Sequence, residues 1–115
     1  MLDHERLDVY GCALELVEVA LRLVERFPRG HGWLADQLRR AAMSVPLNIA
    51  EASGKISSAE RRNFYAIARG SAMESSACLD LARRATTVPA TELERGRNLV
   101  LRIVAMLTRL VFKDA

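Results

Sequence analysis

The stretch from Asp8 to Phe27 reads DVYGCALELVEVALRLVERF, and the spacing of its few polar positions decides the fold class. Gly11, Glu15, Glu18, Arg22, Glu25 and Arg26 recur at helical intervals, and nearly everything between them is apolar. Residues spaced three and four apart share one face of a helix, so this pattern predicts a helix over 8–27 with a narrow wet stripe. Its dry side holds two adjoining seams. One runs through Tyr10, Leu14, Val17, Leu21 and Val24, the other through Val9, Cys12, Leu16, Val19 and Leu23. A single bundle core uses about three apolar positions per heptad, so this helix carries apolar surface to spare, enough to face a partner subunit.

Outward from that helix the same reasoning yields three more. Pro28-Arg29-Gly30-His31-Gly32 ends the first, because proline disfavours the helical conformation in the residue before it. A second helix is expected over 33–52 on the seam Leu34, Leu38, Ala41, Val45, Ile49 and Ala52, with a kink at Pro46, whose ring removes a donor and crowds the carbonyl of Ala42. Ser53-Gly54-Lys55-Ile56 forms the next joint, and Ser57 with Glu60 has the spacing of a capping box that opens a third helix over 58–85. The middle of that helix, 66–77, is rich in Gly, Ala and Ser, which lets another helix approach closely. After Thr86-Thr87-Val88-Pro89, Thr91 with Glu94 repeats the capping spacing, and a fourth helix is expected over 92–112 on Leu93, Val100, Ile103, Leu107, Leu110 and Val111. Short joints favour antiparallel neighbours. The expected architecture is all-α: an antiparallel up-down-up-down four-helix bundle with a kinked second helix, one domain spanning 1–115.

The bulk properties agree with this. At 115 residues, half of them apolar, the chain suffices for one core. Glu or Arg interrupts every long apolar run, whereas a membrane span needs roughly 18 uninterrupted apolar residues. The charged start, Leu2 to Arg6, leads into no signal-type apolar segment, so the expectation is a soluble, cytoplasmic protein with no membrane partner. Cys12 and Cys78 are too far apart for a metal knuckle and read as buried free thiols. Fifteen of the seventeen basic residues are Arg. Residues 1–52 hold six basic and eight acidic groups, and residues 53–115 hold eleven and six, so the second half carries the positive field and points to an anionic partner.

The search for chemistry yields no catalytic, cofactor or metal set. His4 near the terminus, with only Asp8 at i+4, and His31 in a glycine-flanked loop do not assemble the ligand set of a helical metal site. Gly54-Lys55-Ile56-Ser57 lacks the spacing of a phosphate-binding loop. Asn48 and Glu51 on the polar stripe beyond the kink, with Glu74 in the middle of the third helix, are the one place where two carboxylates could converge. They either meet arginines such as Arg40 or Arg69 and fix helix register or, as the alternative, form an acid–base pair. A basic row is the remaining candidate: Arg95, Arg102, Arg109 and Lys113 fall at near-heptad intervals on the fourth helix, and Arg83 and Arg84 end the third. Such a row suits phosphate binding and equally suits a solvated helix face with cations toward its C-terminus.

Three segments carry a family resemblance: Gln37-Leu38-Arg39-Arg40-Ala41-Ala42, then Ser44-Val45-Pro46-Leu47-Asn48-Ile49-Ala50-Glu51, and Ile67-Ala68-Arg69-Gly70-Ser71 with Glu74. From about Tyr10 to Leu110 the chain resembles the four-helix-bundle proteins encoded in intervening sequences of bacterial 23S ribosomal RNA genes. It resembles more distantly the accessory variability proteins of diversity-generating retroelements. The resemblance implies a ring-shaped homopentamer, a basic surface for DNA or RNA, and no catalytic activity. Ala52 stands where that family usually has Gly, Arg61 where it has an aromatic, and Asn63 where it often has Arg. Two functions from different classes follow. One is an oligomeric accessory protein that binds nucleic acid through Arg83, Arg84, Arg95, Arg102, Arg109 and Lys113. The other is a scaffold whose ring engages another polypeptide without binding nucleic acid, a reading favoured by the surplus apolar face of the first helix.

Overall fold

The computed structural model describes residues 2–112, the side chains of Glu5 and Arg6 apart. A short 3-10 turn, Asp3–Arg6, precedes four helices: α1 Asp8–Val24, α2 Gly32–Ser53, α3 Ser58–Ala85 and α4 Ala90–Phe112. Among the described residues there is no strand. Each helix packs on two others in a square: α1 on α2 and α4, and α3 on α2 and α4. Cross-helix contacts set the directions. Arg22 near the end of α1 lies 3.7 Å from Glu92 at the start of α4. Gln37 and Ser44 of α2 meet Glu74 and Ser71 of α3 in reversed order, as do Arg69 and Arg83 of α3 with Thr108 and Glu94 of α4.

The core is built from large aliphatic side chains that water does not reach: Leu16 and Leu23 of α1, Leu34, Leu38 and Ile49 of α2, Ile103 and Leu107 of α4. α3 contributes mostly small groups, Ala68, Ala72, Ser75 and Ala82, so its backbone lies close to its neighbours. One such approach is extreme: a Cβ on Gly96 of α4 would stand 2.9 Å from Leu79 Cδ1. At this position a methyl fits only if the end of the Leu79 side chain shifts.

The ends of the elements depart from the sequence expectation chiefly at the end of α1 and the start of α4. α1 stops at Val24 rather than Phe27, and the chain closes with tighter bonds from Arg26 N–H to Leu23 O and from Phe27 N–H to Val24 O, since Pro28 keeps Phe27 from continuing the helix. At α3 the cap forms, with Glu60 N–H donating to Ser57 Oγ at 3.1 Å and the hydroxyl donating to the Glu60 carboxylate at 3.2 Å. At α4 the expected Thr91–Glu94 cap is absent. The helix starts at Ala90, the Pro89 carbonyl accepts the first bond from Leu93 N–H, and Glu94 turns to Arg83. α2 runs unbroken through the buried Pro46.

The α2–α3 joint has its own clamp. Arg61 donates to the carbonyls of Lys55 and Ile56, at 3.0 and 2.6 Å, and to Ser58 Oγ at 3.0 Å. A guanidinium that offers several donors in a plane suits a loop with free carbonyls, a role an aromatic at this position has no donors to fill.

Candidate interaction surfaces

Of the two apolar seams on α1, the fold buries one. Val9, Cys12, Leu16, Val19 and Leu23 are sealed in the core. Leu14 and Leu21 of the other seam remain 42% exposed, with Tyr10, Val17 and Val24 half-buried beside them. The other helices also turn large apolar side chains outward: Met43 and Leu47 on α2, Ile67, Met73 and Leu81 on α3, Leu101 on α4. The surplus read on α1 is a property of the whole surface.

The fold aligns Arg95, Arg102 and Arg109 on the α1 side of α4, all exposed and none with a hydrogen bond or ion pair to another described residue. Lys113 lies outside the described residues. Arg83 is already held by Glu94 at 3.2 Å, and Arg84 is exposed at the C-terminal end of α3.

The row is one wall of a groove of about 830 Å³ between α4 and α1. The opposite wall carries Asp8 and Glu15, and the apolar lining includes Tyr10, Leu14 and Met106. A second depression of about 430 Å³ extends along the same seam, with Glu15 facing Arg95 and Arg102. Acidic and basic walls one helix spacing apart, roughly 8–10 Å, lie within about one Debye length at 0.1 M salt. Their fields therefore partly cancel, and the surface is amphoteric instead of uniformly basic. The second wall was readable once the topology is set. Asp8 and Glu15 share the seven-residue spacing of Arg102 and Arg109, but sequence periodicity alone does not put α1 beside α4.

The polar motif on α2 and α3 is arranged differently from the expectation. Glu74 accepts from Gln37 Nε2 at 2.7 Å, and Glu51 pairs with Lys55 at 3.3 Å. Arg69 donates to Thr108 Oγ1 at 2.8 Å. Neither carboxylate meets Arg40 or Arg69, because Arg69 points to α4 and Arg40 is exposed on the outer side of α2. Nor do the carboxylates come together: Glu51 is fourteen residues, about 21 Å of helix, from the Gln37 that holds Glu74. Register is set by hydroxyls instead. Ser44 Oγ and Ser71 Oγ are 2.8 Å apart, Asn48 Nδ2 donates to Ser44 O and Oγ at 2.8 and 2.9 Å, and Ser75 Oγ donates to Ser71 O at 2.9 Å.

Cys12 and Cys78 are buried and free. Burial, with the Glu74 carboxylate adding to it, pushes the Cys78 thiol above its ordinary pKa. Among the described residues no group of three or more His, Cys, Asp or Glu is placed to hold a metal ion, and no helix is long and apolar enough to cross a membrane.

Fold and surface together define a four-helix-bundle protein whose distinctive chemistry lies on its outer faces and along one amphoteric groove. The chain belongs to the 23S rRNA-intervening sequence protein family, whose model matches residues 5–109. Among solved structures it is similar to a protein of unknown function from the S23 ribosomal protein family of Bacteroides thetaiotaomicron, with a TM-score of 0.81 and 24% sequence identity over 90% of this chain and 97% of that one. At that identity the likeness speaks for the fold. No curated protein matches the sequence significantly.

Proposed function

We propose that this protein is a non-catalytic assembly module: copies associate into a ring, five as the family resemblance implies, and the assembled ring engages its target. The observation that carries this reading is the unburied seam of α1, Leu14 and Leu21, together with exposed apolar side chains on every other helix. The two leucines continue one apolar seam along α1, and a partner subunit laid on that seam removes it from water.

Nucleic acid as the target is a second reading, favoured by Arg95, Arg102 and Arg109, which are exposed and unengaged within the chain. Asp8 and Glu15 across the groove weigh against it, since a phosphate backbone in the groove meets carboxylates as well as guanidiniums. A single chain with three or four phosphate contacts binds weakly and loses affinity with salt, while a ring repeats the contacts in every subunit.

One variant separates the readings. If the row binds nucleic acid, Arg102→Glu with Arg109→Glu abolishes retention of DNA and RNA at low salt and leaves the oligomer intact. If the groove is a protein-docking surface, the same variant dissolves the oligomer, and the wild type shows no salt-dependent retention of DNA or RNA.

A further inference from the structure

We infer that the α1–α4 groove seats the outer ridge of α2 from a second copy of this chain, in a head-to-tail contact. The inference rests on the self-association proposed above and assigns its two surfaces.

The groove has the properties of an unfilled protein interface. Asp8 and Glu15 on one wall and Arg102 and Arg109 on the other face each other across about 830 Å³, and none makes an ion pair or hydrogen bond with another described residue. Charges free to close on each other and held open instead leave room for an occupant carrying both signs. Gly11 lines the groove in the first half of α1, and a Cβ there would meet nothing within 4 Å. Glycine inside a helix disfavours the helix, and here the chain itself gains no packing in return. A second backbone can approach closely at this point.

The ridge on α2 has the matching chemistry. Arg40, Met43 and Leu47 follow at i, i+3 and i+7 on the outer side of the helix. Met43 is 45% and Leu47 64% exposed, and Arg40 has no partner among the described residues. Glu51 stands one turn beyond Leu47, exposed and ion-paired at 3.3 Å with Lys55 of the α2–α3 joint. The ridge thus carries an unpaired guanidinium at one end, a carboxylate held only by a weak surface ion pair at the other, and apolar groups between. Laid across the groove, it sets Arg40 against the α1 carboxylates and Glu51 against the α4 guanidiniums, with Met43 and Leu47 over Gly11 and Leu14. From Arg40 to Glu51 is eleven residues, about 16 Å, enough to cross two helices whose axes lie roughly 8–10 Å apart. The groove lies between α1 and α4 and the ridge on the outer side of α2, away from α4, so each copy offers its groove to one neighbour and its ridge to the other. A contact of this heterologous kind closes into a ring when the rotation from copy to copy completes a whole turn.

Reversal of charge on the intact chain tests the pairing, with mass read by sedimentation equilibrium and fold by circular dichroism. Glu15→Arg and Arg40→Glu are both at exposed positions, and each is expected to keep its helicity and weaken association at least tenfold. The double variant, in which every contact carries the reversed pair, is expected to reassemble. Gly11→Leu, which fills the groove without changing charge, is expected to dissolve the assembly while keeping the fold. A wild type that assembles while neither reversal weakens it overturns the assignment and leaves self-association standing, as does a double variant that stays monomeric. A monomeric wild type removes self-association and this contact together.

Discussion

The glycines divide by what surrounds them, and the division predicts opposite effects of one substitution. At Gly96 an added methyl meets Leu79 Cδ1 at 2.9 Å and Val19 Cγ1 at 3.5 Å inside the core, whereas at Gly11 and Gly70 it meets nothing within 4 Å. Overpacking a core costs about 1–3 kcal/mol, against a gain of about 1 kcal/mol for Ala over Gly in a helix. Gly96→Ala is therefore expected to lower stability by about 1 kcal/mol and Gly11→Ala to raise the stability of the dissociated chain by up to about 1 kcal/mol, both measured by urea denaturation. Cys78 adds a pH dependence. Its thiol ionises less readily in the fold than in the unfolded chain, because burial and then Glu74 raise its pKa above the ordinary 9.0. Its contribution is complete below pH 9 and declines as pH rises from there toward the folded pKa, as the unfolded chain ionises first. The alkaline loss of stability is expected to be smaller in Cys78→Ala, although that variant starts less stable.

At the level of elements, helical periodicity carried most of what the sequence could give. Four helices with their apolar seams follow from spacing, because burial of one face is a local property of the chain. The joints were harder. Ser57 and Thr91 have the same capping spacing, yet only Ser57 caps, since Pro89 at the α4 boundary already starts the helix one residue before Thr91. Ser57→Ala is expected to cost about 1 kcal/mol and Thr91→Ala to be close to neutral, measured by thermal denaturation. Side-chain pairing between helices was not legible either. Glu74 with Gln37, and Ser44 with Ser71, depend on the rotation of each helix and on its height beside its neighbour, which no single-helix pattern encodes.

For the whole molecule, the sequence showed a surplus of apolar surface and a basic row on α4, and left open what each faces. The structure puts Asp8 and Glu15 opposite Arg102 and Arg109, so charge that looks one-sided along the chain is two-sided in space. The proposed function takes that arrangement as a protein-docking groove, so assembly is the property on which it stands. Light scattering or sedimentation equilibrium on the wild-type chain at micromolar concentration measures it directly. The expected mass is a multiple of the 12.8 kDa chain, five copies if the ring is the one the family resemblance implies. A mass of 12.8 kDa at every concentration up to the solubility limit contradicts the account.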